Sequence, residues 1–426
     1  MDRHADRGTL YAGPDLLQGP ASSSLSYQPA HTFFGLRNAA LVGLEMIGRR
    51  ITRPKTNTFQ LIHARGRLLD SDTQVDAIYA GNGENLTYCL DQVFGDSISI
   101  LEEHRGPSLD IARLLRAESS PEKFVFTEGL SPDDLASLDF GLASMPAWIK
   151  QRIRIQSVWA VQINGLRRGT RQEMARILRK NRFECGLSRR DADFDQFYEQ
   201  LYRPFIHQRF GESAVTVDRR QFIRECRRGR LLQLRRGGNL LGAALLRQTG
   251  PTLAVVWSAL DIRIDKQERR GIFDSMDYFS LMVGHIQRCR WLDLGPSRPD
   301  LHDGVLRYKA KWGAVANAGL ARQATIRWAC PQHSAAGRHF LQRHAYVVHL
   351  GNALTGVICC PEARGPEELA QRIRSLAIEG IDAYRVLVSP ELLPVLPHLD
   401  GLLKSMGSVG VSAITEYDNV MSQLVG

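Results

Sequence analysis

Residues 231–260 read LLQLRRGGNLLGAALLRQTGPTLAVVWSAL. Three apolar runs, Leu231 to Arg235, Leu240 to Arg247 and Thr252 to Leu260, are separated by the turn-forming tetrads Arg236-Gly237-Gly238-Asn239 and Gln248-Thr249-Gly250-Pro251. Glycine takes the positive φ that tight hairpin turns require, so the spacing predicts an antiparallel three-stranded meander. In the third run Leu253, Val255, Trp257 and Ala259 alternate with Ala254, Val256, Ser258 and Leu260. Both faces are largely apolar, which suits a strand covered on both sides within a sheet.

Helices flank the meander. Upstream, Arg171 to Asn181 reads as a basic helix. A second helix starts at Asp191 and Asp193, acidic residues that suit a helix N-terminus, and Phe194, Phe197, Tyr198, Leu201 and Tyr202 form its apolar face. Pro204 is expected to kink or end it. Asp218 opens a third helix through Arg227. Downstream, a loop from Asp261 to Arg270 leads into a helix from Gly271 to about Cys289, with Ile272, Met276, Phe279, Val283 and Ile286 as its core stripe. A strand, Trp291 to Leu294, the segment Gly295 to Gly313, and strand material from Ala314 to Ala329 follow.

Further out, residues 1–56 read as a tail followed by a short amphipathic helix, Phe33 to Ile47. Residues 57–168 read as an N-terminal α/β lobe: strands at Thr58–His63, Val75–Ala80, Ser97–Leu101 and Lys123–Thr127, helices at Glu84–Phe94 and Pro107–Ala117, and a connecting strand at Ser157–Ile163. Residues 169–329 hold the meander and its helices. Residues 330–426 form a C-terminal α/β unit, with strands Leu354–Cys360, Tyr384–Ser389 and Val409–Thr415 and helices Pro366–Ile378 and Pro390–Leu403 between them.

The 426 residues are 43% hydrophobic and 23% charged, an ordinary globular balance that needs no disulfide or metal to build a core. Met1 to Ala30 has no apolar run of the kind a secretory signal needs, and Phe33 to Ile47 is too short and too charged to span a bilayer. A cytoplasmic location is expected. The seven cysteines are odd in number and contain no CxxC pair, so reduced, buried thiols and no metal site are expected. The formal net charge of +10 is uneven: residues 150–236 carry 22 Lys and Arg against nine Asp and Glu. Such a field attracts phosphate-bearing partners.

Two segments carry chemistry. The first is Gln267-Glu268-Arg269-Arg270-Gly271, at an expected loop-to-helix junction, where free backbone N–H groups and the helix dipole would face an anion. The second starts at Asp293-Leu294-Gly295-Pro296 on a strand end. It continues through Gly304-Val305-Leu306-Arg307-Tyr308-Lys309-Ala310-Lys311-Trp312-Gly313. A lysine shielded by Tyr308 and Trp312 can bind a carbonyl oxygen or phosphate. His302, beside Asp303, is a candidate base. No Gly-x-Ser-x-Gly elbow or HExxH is present, which disfavours a serine hydrolase or a zincin.

From about Arg171 to Ala316 the chain resembles the Fem-like branch of the GNAT acyltransferase superfamily. That branch includes peptidoglycan aminoacyltransferases and the acetyltransferase-like domains found near bacterial polysaccharide genes. The resemblance lies in Leu292-Asp293-Leu294-Gly295, in the run Gly304 to Gly313, and in the helix–meander–helix order around them. It implies an α/β fold, a GNAT-like mixed sheet with flanking helices, two-lobed if residues 57–165 are a degenerate first half. It also implies transfer of an acyl or aminoacyl group from a thioester or ester carrier to an amine or hydroxyl, as in cell-envelope or polysaccharide biosynthesis.

By that resemblance Lys309, Asp293 and Tyr308 are the catalytic residues, and Gln267, Arg269, Arg270, Gly271 and Trp257 hold the carrier. Acetyl-CoA or another acyl-CoA is the expected co-substrate, with aminoacyl-tRNA and acyl-carrier protein as open alternatives. The acceptor would be a small molecule, a saccharide or a peptide. The chain departs from the common GNAT phosphate pattern, (Arg/Gln)-x-x-Gly-x-(Gly/Ala), since Gln267 is followed three residues on by Arg270. The rival readings are a non-catalytic GNAT-like scaffold that binds a phosphorylated ligand or a protein, and a basic tRNA- or nucleic-acid-binding protein.

Overall fold

The structure, a computed structural model, describes residues 9–10, 58–136, 138, 140–210, 217–317, 325–331, 334–351, 353–393 and 408–413. The expected amphipathic helix Phe33–Ile47 and all but the start of the expected helix Pro390–Leu403 lie outside these residues. The chain divides into two compact units. The first comprises residues 1–53, 150–297 and 307–315. The second comprises 54–149, 298–306 and 316–426. Residues 150–168, read from sequence as the end of an N-terminal lobe, therefore belong to the first unit.

The first unit is built on a mixed sheet. Its labelled elements are β1 (Ile149–Arg154), α1 (Arg168–Asn181), β2 (Glu184–Ser188), β3 (Arg230–Arg236), β4 (Asn239–Thr249), β5 (Thr252–Leu260), α2 (Lys266–Ile286), β6 (Trp291–Ser297), α3 (Gly304–Lys311) and β7 (Ala314–Asn317). The strand order is Thr9–Leu10, β2, β3, β4, β5, β6, β1, β7. The meander forms as the turn glycines predict: β3, β4 and β5 pair antiparallel, and Gly237, Gly238 and Gly250 all take positive φ. The mixed α/β class is the one expected.

Helix α2 lays Ile272, Met276, Phe279 and Val283 into the core of this unit. A Cβ on Gly242 of β4 would come within 3.1 Å of both Ile272 Cγ2 and Met276 Sδ, so the glycine sets how closely α2 approaches the sheet. Ile286, the last residue of the expected stripe, is exposed at the helix end.

Two local expectations are corrected, and the one at Pro204 holds as a distortion of the helix and not as its end. Residues 157–163 do not form a strand: Trp159–Asn164 is a short helix, closed by bonds such as Gln162 N to Val158 O (3.1 Å). Its β-branched residues favour a strand only where a neighbouring strand is there to pair with. Pro204 does not end its helix. A turn of π-helix, Phe197–Tyr202, precedes it, and Arg203 N donates to Tyr198 O, five residues back. The wider turn makes room for a ring that would clash with a regular α turn, and the helix Arg203–Phe210 continues. Helix α2 begins at Lys266, not Gly271, because the Asp265 carboxylate caps it by accepting from Gln267 N at 2.7 Å.

The second unit holds a six-stranded sheet in the order Phe94–Gly106, Phe59–Leu68, Gln74–Gly81, Phe124–Glu128, Thr325–Ala329, Ala143–Pro146. Helix Ser108–Glu118 packs on it through Ile111 and Leu115. A four-stranded sheet, Val347–Leu350, Ala353–Cys359, Ala383–Val388 and Ser408–Ala413, pairs in parallel across its last three strands. Arg298 is 3% exposed here. Its guanidinium lies 3.9 Å from the Tyr88 ring and 3.5 Å from the Trp148 ring, and it donates to Asn85 Oδ1 at 2.7 Å. All seven cysteines are buried free thiols, and burial pushes Cys185 and Cys359 up to about 12 and Cys360 up to about 11. Among the described residues no helix is long and apolar enough to cross a membrane.

Trp257 stacks on Phe222 at 4.6 Å between ring centroids and meets Tyr202 at 5.7 Å, deep in the first unit. Trp257→Ala is therefore expected to cost about 3–5 kcal/mol of stability, checked by urea unfolding.

Candidate active site

The parallel ladder between β5 and β6 is three residue pairs long: Thr252↔Trp291, Leu253↔Leu292 and Ala254↔Asp293. Both strands then run on, β5 to Leu260 and β6 to Ser297. Past the last pair the residues on both sides, Val255 and Val256, Leu294 and Gly295, are only half-buried. The sheet forks at this point, and Asp293 stands at the apex. The peptide groups that β5 and β6 turn toward each other beyond the apex no longer meet in the ladder.

Asp293 is held by partners of the first unit. Its Oδ2 accepts from Arg152 Nε of β1 at 3.1 Å, and its Oδ1 accepts from Gly295 N at 2.9 Å. Gly295 takes φ +77°, the left-handed region a glycine occupies without strain. The strand end is also held from α3. Lys309, 6% exposed, donates from Nζ to the carbonyls of Gly295 (2.8 Å) and Pro296 (2.7 Å). The ammonium is buried against main-chain oxygens.

Sequence reasoning missed two carboxylates beside these residues. Asp274 and Asp277 lie on α2, and with Arg270 they make a charged stripe at i, i+4 and i+7, one face of a helix. Asp274, 1% exposed, pairs with Lys311 at 3.2 Å. Tyr308 donates to Asp277 Oδ2 at 2.7 Å. Desolvation, together with the neighbouring charge of Asp274, pushes Asp277 up to about 7, although the Tyr308 hydrogen bond and the charges of Lys309 and Lys311 pull the other way. Desolvation and the Asp277 charge hold the Tyr308 phenol well above its usual range. The signal was readable as two aspartates interrupting the apolar pattern of a core helix.

The structure distributes the expected carrier residues. Gln267, Arg269, Arg270 and Gly271 all lie inside α2. The helix N-terminus expected to meet an anion already faces the Asp265 carboxylate, and Glu268 of the first turn pairs with Arg236. Arg269 bonds the loop carbonyls of Ile262 and Ile264 (2.9 Å to Ile264). Gly271 faces Ile177 of α1, so it serves helix packing and does not open the helix. Trp257 is buried in the aromatic cluster. Gln267 and Arg270 are exposed and lie on the face that carries Asp274 and Asp277, and Arg270 is the charged one of the two. His302 is exposed, and its backbone N–H donates to Asp300 Oδ1 at 2.8 Å. Some arginines of 150–236 pair with carboxylates of the same stretch, as in Arg176–Glu173, Arg190–Asp193 and Arg228–Glu225, which leaves the excess of cations standing.

No family model matches the chain, and no curated protein does. Solved structures similar to it include FemX, with a TM-score of 0.33 and 12% identity over 63% of this chain and 84% of that one. L-PGS from Bacillus licheniformis gives 0.31 and 10% over 64% and 85%. A GCN5-related N-acetyltransferase from Kribbella flavida gives 0.24 and 10% over 63% and 54%. Likenesses this loose assign no activity, substrate or partner to this chain.

Proposed function

We propose that the first unit is an acyltransferase that moves an acyl or aminoacyl group from a thioester or ester carrier to an amine or hydroxyl. The observation that carries this reading is the fork between β5 and β6, with Asp293 at its apex and a buried ammonium at its far rim. In this reading main-chain donors past the apex hold an extended carrier arm and face the oxyanion that forms on the carbonyl. The acceptor attacks the carbonyl carbon, and the bond to the carrier's sulfur or oxygen breaks. The acceptor's proton passes to the Tyr308 oxygen as the phenol hands its own to Asp277, a base poised near neutral pH, and the same relay run in reverse delivers a proton to the departing sulfur or oxygen. Asp293, engaged by Arg152 and Gly295, fixes the apex and does not take the proton. Lys309 holds the strand end and contributes its charge. The role of Arg270, the exposed cation of the stripe, is to meet a phosphate of the carrier. Carrier identity, and an acceptor from the cell envelope or a polysaccharide pathway, remain part of the proposal.

Isothermal titration with acetyl-CoA and a longer acyl-CoA tests the carrier. Micromolar binding lost in Arg270→Ala is the expected result. Silence with both ligands removes CoA and leaves aminoacyl-tRNA or acyl-carrier protein as the donor. Lys309→Met is expected to lower the rate of thiol release from the bound carrier about 100-fold. Binding without turnover, with thiol release indifferent to this change, establishes the non-catalytic scaffold instead.

Asp277 adds a pH signature. Its proton is held more tightly in the folded chain, so its contribution to stability is full below its ordinary value of 3.8 and is lost as pH rises to about 7. The urea midpoint of the wild type is expected to fall across that window, and Asp277→Asn to flatten the fall. An unchanged slope in the variant removes Asp277 as the poised base.

A further inference from the structure

In the second unit, strand Phe59–Leu68 pairs with Phe94–Gly106 so that His63 stands directly opposite Glu102. Helix Ser108–Glu118 packs against the first of these strands and ends with Glu118 beside the same pair. One ligand-type atom from each of His63, Glu102 and Glu118 lies within 4.8 Å of the others. We propose that these three side chains bind a first-row divalent cation, with zinc as the best match to one imidazole and two carboxylates.

The imidazole is prepared for this role. His63 is 6% exposed, and its Nδ1 has no hydrogen-bond partner. A buried ring nitrogen left this way costs free energy that a ligand would recover. The opposite nitrogen, Nε2, lies 3.0 Å from Asp76 Oδ2. Asp76 is itself fixed by Arg65, whose Nε donates to Oδ1 at 2.6 Å and whose guanidinium holds the carboxyl below its usual range. A carboxylate that accepts a hydrogen bond from one ring N–H leaves the other nitrogen with a lone pair and a set direction, the usual support behind a metal-bound histidine.

That lone pair faces Glu118, whose Oε2 is 3.9 Å from Nδ1. The gap is too long for a hydrogen bond. Two bonds of about 2.0–2.2 Å meeting at one tetrahedral ion would set these atoms about 3.4 Å apart, so Glu118 closes by roughly half an ångström on binding. Glu118 also sits at a helix C-terminus, where the dipole disfavours an anion and rewards a cation. Two neighbours complete the surroundings: Lys123 Nζ is 3.9 Å from Glu118 Oε2, and His104 Nε2 is 3.3 Å from Glu102 Oε2. Lys123 competes for Glu118, and His104 stands two residues along from Glu102 as a further nitrogen within reach of the group. Bound at this hinge of two strands and a helix, the ion would tie the helix end to the sheet.

The test uses the full chain stripped with chelator, then titrated with Zn²⁺ against a chromophoric competitor, with Co²⁺ absorption as a second probe. The expected result is one ion per chain, a rise in thermal midpoint on loading, and binding weakened about tenfold or more in His63→Gln and in Glu102→Gln. Glu102 is half-exposed on an edge strand, so Glu102→Gln decides the matter even if His63→Gln fails to fold. Wild-type uptake no greater than that of Glu102→Gln overturns the site, as does an affinity that neither substitution moves.

Discussion

The ammonium of Lys309, buried against the carbonyls of Gly295 and Pro296, is the contact on which the candidate site rests. A charge taken out of water is tolerated only where oxygen atoms replace the lost solvent. Those oxygens belong to the strand end beyond the fork, so the same bonds that settle the lysine fix the path of β6 where it has left its ladder with β5. Without them Gly295, at positive φ, would be free to swing. Arg152 and Asp293 repeat the arrangement on the near side of the fork. The opening is thus held at both ends by charge, with a glycine turn between.

The helix that faces this region combines two duties. Its apolar residues, Ile272, Met276, Phe279 and Val283, anchor it to the sheet, and Gly242 lets it come close. Asp274 and Asp277 ride on the same helix. Each is tolerated for a different reason: Asp274 by pairing with Lys311, Asp277 by retaining its proton more strongly than a carboxyl in water. Two aspartates one turn apart are thereby given different surroundings, one paired with an ammonium and the other desolvated and bonded to a phenol.

What was legible in the sequence follows from which signals are local. The meander was readable because glycine turns and alternating apolar residues act over a few positions. Lys309 and Asp293 were readable as a motif. The start of α2 was misplaced because a glycine suggested a boundary, whereas the Asp265 cap decides it. Gly271 turned out to be a packing residue against a helix nearly a hundred positions away, which no local pattern reports. Trp257 looked like a candidate for ligand contact and is instead committed to Phe222 and Tyr202. Asp277 draws its character from desolvation and from Tyr308, both set by the fold. The group of His63, Glu102 and Glu118 was invisible for the same reason, since strand register and helix docking bring the three together.

The quiet thiols have a practical side. Every cysteine is buried, and several are held far from ionising at neutral pH, so none offers a ready thiolate to a reagent in water. A single cysteine placed on an exposed face of the first unit would stand out chemically against that background. Fluorescent or spin labels could then be attached to the unaltered native framework, without first stripping seven side chains from two cores that use them as packing.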